Sequence, residues 1–96
     1  MNKVFSDISW EHYLFWQTED KKILKKINEL IKDIDKNGNN GIGKPEPLKY
    51  ELSGLWSRRI TDEHRLIYNT DEENIYIFSC KGHYKNWLFL LTNKNK

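Results

Sequence analysis

Several positions in this sequence carry side chains that, brought together, could cut a phosphodiester bond. Glu46 stands between two prolines in "KPEP", Arg58 and Arg59 lie in "LWSRRI", Arg65 in "HRLIYN", and His83 and Tyr84 close "NIYIFSCKGHY". Free glutamate titrates near ~4.3 and free histidine near ~6.5, so at neutral pH one is ionised while the other is partly protonated. That division suits a general base and a general acid. A guanidinium stays cationic and grips two phosphate oxygens at once. On RNA, the base would take the proton of a ribose 2′-hydroxyl and the freed oxygen would attack the adjacent phosphorus. The acid would protonate the departing 5′-oxygen while arginine steadies the charge on the equatorial oxygens. No metal or cofactor is required, and Tyr84 could stack on a base or orient the phosphate. A plainer reading uses the same residues: a solvated loop glutamate, a structural histidine, and arginines paired with carboxylates such as Glu63.

Whether these positions meet depends on the elements that carry them. "MNKVFS" reads as a short first strand. Ser9 is a candidate N-cap, with Glu11 in the first turn, for a short helix whose apolar stripe is Trp10, Tyr13 and Leu14, with Phe15 beside it. Thr18 is a candidate cap for a second helix, followed by Glu19 and Asp20. Ile23, Ile27, Leu30, Ile31 and Ile34 then mark one face of an amphipathic helix, with lysines and Glu29 on the wet side. "KNGNNGIG" breaks it, and Pro45 and Pro47 keep Glu46 in an extended loop. Three segments rich in β-branched and aromatic residues follow, "LWSRRI", "HRLIYN" and "NIYIFSC", at hairpin-like separations. The expected class is α+β, with two N-terminal helices packed on an antiparallel sheet. Alternation puts Ser57 and Arg59 on one face and Trp56 and Arg58 on the other, while Arg65 and Ile67 share a face. The tryptophans Trp10, Trp16 and Trp56 read as core or interface.

The 96 residues suit one small domain. No run approaches the roughly 18 apolar residues of a membrane span, and the N-terminal stretch lacks a signal-peptide pattern. Cys80 is the single cysteine, so no internal disulfide or paired-cysteine zinc site can form, which fits a reducing cytoplasm. The net charge of +2 is modest, but Lys44, Lys49, Arg58 and Arg59 cluster on either side of Glu46 and Glu51. A basic surface for an anionic partner is one reading of that cluster, and ordinary solvated lysines are the other.

"KINELIKD", "GKPEPLK", "LSGLWSRRITDEHRLIYN" and "CKGHY", preceded by "SW" and "YLFWQ", together resemble the YoeB/Txe family of bacterial toxins in the RelE superfamily. The resemblance runs to Tyr84. It implies a microbial-ribonuclease-like fold and a toxin of a type II toxin–antitoxin pair that cuts mRNA in the ribosomal A site. By motif it implies Glu46 as general base, Arg65 as transition-state stabiliser, His83 as acid and Tyr84 as a positioning group. Lys44, Lys49, Arg58 and Arg59 become RNA or ribosome contacts. The implied partners are ribosome-bound mRNA, a YefM-like antitoxin and a second copy of the chain in a homodimer. Two other readings stand beside this one: a catalytically weakened corepressor module, and a free-standing ribonuclease, for which +2 is a weak grip on naked RNA.

The toxin-like domain is expected over residues 1–84 and an extension over residues 85–96, where family members usually stop. Trp87, Leu88, Phe89, Leu90 and Leu91 make an apolar run in that extension. It is expected to be ordered, by prolonging the last strand or by docking on the body or a second subunit, and to run away from the cleft rather than fold back across His83.

Overall fold

The computed structural model describes residues 1–83; Tyr84 and the extension over residues 85–96, with the expectations attached to them, lie outside the described residues. Strand β1 (Asn2–Phe5) leads into helices α1 (Asp7–Glu19) and α2 (Lys21–Asn37). A two-residue strand β2 (Glu46–Pro47) and a 3-10 turn, Tyr50–Leu52, precede β3 (Trp56–Arg59), β4 (Arg65–Thr70) and β5 (Asn74–Ser79). The sheet order is β1-β5-β4-β3-β2. Strands β2 to β5 pair antiparallel in succession, as their short connections require. The sheet is not antiparallel throughout, however, because β1 runs parallel to β5, with Asn2 opposite Asn74 and Phe5 opposite Ile77. The chain leaves β1 through two helices rather than a hairpin, so β1 is free to settle on the open edge of β5 in the same direction.

Both expected helix caps shift. Ser6, with extended backbone, caps α1 by accepting a hydrogen bond from Ser9 N. Ser9 lies inside the helix, fully buried, and its Oγ donates to Ile77 O at 2.6 Å. Asp20 both ends α1 and caps α2, its carboxylate accepting from Lys22 N and Ile23 N. A carboxylate on those amides satisfies orphan donors and complements the helix dipole. Thr18 instead donates to Phe15 O within the last turns of α1.

Helix α2 buries Ile27, Leu30, Ile31 and Ile34, as its periodicity predicts, with Ile23 partly covered. They pack against Leu66, Tyr68, Ile75, Ile77 and Cys80 from the sheet. Helix α1 differs from its expected stripe. Its buried residues are Ser9 and Trp16, Tyr13 is half-buried, and Trp10, Leu14 and Phe15 are exposed. The helix buries the strip formed by positions 9, 13 and 16, the i, i+4 and i+7 spacing of a single narrow face. Its remaining apolar side chains point outward. A smaller cluster of Leu48, Leu52 and Ile67 covers part of the other side of the sheet.

Arg58 is a correction to the sequence reading. It is fully buried on the helix side of β3 and cannot meet RNA or the ribosome at the surface. Its guanidinium donates to the Asp33 carboxylate on α2, to Ile42 O and Gly38 O in the loop beyond α2, and to the hydroxyl of Tyr68 on β4. The hydrogen bond from Arg58, with help from Asn37 and Ile42 N, holds the Asp33 carboxyl below its ordinary range. Gly41 lets the loop pass over this ion pair: its φ is +150°, and a Cβ there would lie 1.9 Å from Asp33 Oδ2.

Replacing Arg58 by Ala should therefore cost about 3–5 kcal/mol, because it strands buried acceptors and opens a cavity. Urea denaturation measures this, and a loss under about 1 kcal/mol would show the guanidinium to be dispensable.

Candidate active site

Three backbone features build a cleft at one end of the sheet, on the face away from the helices. The first is the edge strand β2, whose two residues pair with β3 so that Glu46 lies opposite Ser57. Pro47, which has no N–H to give, is tolerated because β2 is an edge. Lys44, directly before Pro45, has φ +51°, an uncommon conformation for a residue with a side chain. Strain of this kind tends to collect at functional sites. Gly43 anchors the approach, its carbonyl accepting from Arg59 N at 2.7 Å.

The second feature is register. Ser57 pairs with Ile67 and Arg59 with Arg65, so Glu46, Ser57, Arg59 and Arg65 all project from one face. Two arginines directly opposite each other repel and destabilise a sheet unless an anion lies between or beside them. Arg65 is 7% exposed, and its Nη1 donates to the carbonyls of Thr61, Asp62 and His64 at 2.6, 3.0 and 3.2 Å. The loop over residues 61–64 is itself closed by Thr61 Oγ1, which accepts from Glu63 N and His64 N. One nitrogen of Arg65 thus fixes its orientation, while Nε and Nη2 make no hydrogen bond among the described residues and remain for a ligand.

The third feature is the turn after β5. Gly82, at φ +85°, redirects the chain, and its carbonyl accepts from Arg65 N at 2.9 Å. His83 thereby reaches the same cleft, a space of about 90 Å³ lined by Lys44, Glu46, Ser57, Arg59, Arg65 and His83. Three cationic side chains and an imidazole face one carboxylate. This arrangement can hold a tetrahedral anion, with Glu46 and His83 both in its lining.

Of the residues singled out from the sequence, Glu46, Arg65 and His83 come together, and Lys44 and Arg59 join them. Lys49 is exposed beside the 3-10 turn but is not part of the lining. Arg58 lies on the opposite face, and Tyr84 lies outside the described residues. Ser57 enters the cleft without having been assigned a role, although its shared face with Arg59 was legible. Two histidines, His12 and His64, also gave no sequence signal, and both bond to the segment before His83. Among the described residues no group of three or more His, Cys, Asp or Glu side chains could hold a metal ion. No helix among them is long and apolar enough to cross a membrane.

Fold and cleft together define a small α+β domain whose sheet carries a cleft lined by cationic side chains around one carboxylate. The model of the YoeB-like toxin of bacterial type II toxin-antitoxin systems matches residues 5–84, and the chain belongs to that family. It is similar to Toxin YoeB of Escherichia coli, 55% identical over 84 residues that make up 88% of this chain and 100% of that one. It is similar in structure to the YoeB dimer from Staphylococcus aureus, at TM-score 0.83 and 55% identity, covering 88% of this chain and 98% of the other. A heterotetrameric YoeB-YefM toxin-antitoxin complex from the same organism matches with equal TM-score, 0.83, equal identity, 55%, and the same coverage of 88% and 98%.

Inorganic phosphate should bind in the cleft and be displaced by salt. Arg59→Ala and Arg65→Ala should each weaken that binding by about tenfold, the scale of one hydrogen bond to a charged group. Amide shift perturbation in NMR titrations reads the affinity; an Arg65→Ala protein that binds phosphate normally would place the anion elsewhere.

Proposed function

We propose that this protein is an endoribonuclease toxin that cuts mRNA on the ribosome and is neutralised by a YefM-like antitoxin. The observation that carries this reading is the meeting of Glu46, Arg65 and His83 in one cleft with Lys44 and Arg59. In the proposed reaction Glu46 takes the proton of a ribose 2′-hydroxyl. The freed oxygen bonds to the adjacent phosphorus as the bond to the 5′-oxygen breaks, and His83 gives that leaving oxygen its proton. The products are a 2′,3′-cyclic phosphate and a 5′-hydroxyl. Arg65, oriented through Nη1, offers its remaining donors to the equatorial oxygens, and Arg59 and Lys44 add positive charge. Tyr84, which follows His83 in the sequence, is assigned to positioning the substrate, and the exposed Lys49 to a ribosome or RNA contact. No cofactor enters the scheme.

The modest net charge supports dependence on the ribosome, because +2 offers little non-specific hold on free RNA. The site of action is then the cytoplasm. For the antitoxin and for self-association, the outward face of α1 supplies apolar surface: Ile8, Trp10, Leu14 and Phe15 are 55%, 47%, 44% and 41% exposed. The Staphylococcus aureus relative forms both a dimer and a complex with YefM.

Glu46→Ala and His83→Ala should each fold normally and slow cleavage by roughly 10²–10⁴-fold, the usual share of one acid–base group. Arg65→Lys should also fail badly, since an ammonium cannot reproduce the planar fork. The experiment is in vitro translation with and without the protein, mapping mRNA ends. Cuts confined to ribosome-bound message support the reading. Cuts in free RNA would select a free-standing ribonuclease, and antitoxin binding without cleavage a corepressor module.

A further inference from the structure

We propose that His12 and His64 are positioning residues that clamp the segment carrying His83, each accepting one of its backbone amides through a neutral ring nitrogen. Strand β5 ends at Ser79, so residues 80–82 have no ladder to hold them. Their backbone groups are tied down individually. Cys80 N donates to His12 Nδ1 at 3.2 Å, and Cys80 O accepts from the indole of Trp16 at 2.9 Å. Lys81 O accepts from Ser79 Oγ at 3.2 Å. Gly82 N donates to His64 Nδ1 at 2.8 Å, and Gly82 O accepts from Arg65 N at 2.9 Å. The two amides taken by histidine lie on either side of Lys81 in the bend that follows β5. One acceptor comes from α1 and the other from the loop before β4. Together they hold the segment that leads to His83 from two elements.

An Nδ1 that accepts a hydrogen bond carries no proton, so both rings are neutral with the proton on Nε2. Protonation would set an N–H against an N–H and open the clamp. The groups around His12 favour neutrality: burial is the largest influence, followed by Lys81 and then His64, and all three push its pKa below the ordinary 6.5. His64 packs edge-on against Trp16 at 4.8 Å. The titratable and charged groups about it are His12 on α1, Arg65 on β4, whose Nη1 bonds to His64 O, and the exposed Asp62 and Glu63 in its own loop. The sign follows: the His12 contribution is complete above 6.5 and is lost as pH falls through the depressed value. The catalytic consequence rests on His83 acting as the acid proposed above, and a small misplacement of such a group is costly.

The test compares His12→Asn, His64→Asn, His12→Ala and His64→Ala with the wild type. Asparagine can place an oxygen where Nδ1 stood and does not titrate. Two readouts are followed from about pH 8 to about pH 5, across the histidine range: NMR hydrogen exchange at the Cys80 and Gly82 amides, and kcat for ribosome-bound mRNA. In the wild type, protection of the Cys80 amide should fall with pH beyond the intrinsic effect, as His12 takes up its proton. Each alanine variant should lose protection of its own amide by about tenfold at every pH, with a similar drop in kcat and little change in KM. Each asparagine variant should restore both, and His12→Asn should flatten the pH dependence at Cys80. Alanine variants with wild-type protection, asparagine variants no better than alanine, or a lost clamp with unchanged kcat would each overturn the proposal. Should an alanine variant fail to fold, the wild-type titration and the asparagine variants still decide it. If the wild type cleaves no message, the functional reading fails, and amide protection alone judges the clamp.

Discussion

The buried guanidinium of Arg58 is the constraint on which the rest of the molecule depends. It joins β3 to α2 through Asp33, to β4 through Tyr68, and to the loop beyond α2 through Gly38 O and Ile42 O. Tyr68 extends the network by donating to Asn39. Burying an ion pair is often no more stabilising than burying apolar groups. Here the pair does something an apolar side chain could not, because it satisfies carbonyls of an irregular loop that otherwise has no ladder. That loop leads directly into Lys44 and Glu46. The network therefore sets where one wall of the cleft begins, while strand alternation aims the adjacent Arg59 into the cleft itself.

The opposite wall is held by different means. His83 follows a segment whose amides and carbonyls are taken one at a time by two histidines, a tryptophan, a serine and the backbone of Arg65. Between the walls stand Arg59 and Arg65, in register and of like charge. Such a pair weakens an empty sheet and strengthens one that holds an anion. The stability of the Arg58 network and the core offsets the cost of this like-charged pair.

Much of this was legible in residue order. The face of α2, the break after it, the extended "KPEP" and the three later strands all follow from periodicity and from glycine and proline, because these signals are local. The shared face of Ser57 and Arg59 follows from the two-residue period of a strand. Local signals misled where two residues competed for one role. Ser9 and Thr18 have good cap chemistry, yet Ser6 and Asp20 have the extended backbone that a cap requires. The aromatic stripe of α1 suggested a buried face, but the strip that meets the sheet runs through Ser9 and Trp16.

By itself the sequence determined the α+β class, the α2 face, and the residue types that acid–base chemistry on an anion demands. Only the tertiary structure decided which of the neighbouring arginines faces the cleft, that β1 lies parallel to β5, and that Glu46 and His83, 37 positions apart in the chain, line one space. It alone also gave His12 and His64 a common target. The physical reason is register and long-range pairing: a slip of one residue exchanges the faces of a strand, and nothing local to "SRR" or "CKGH" states which partner lies opposite.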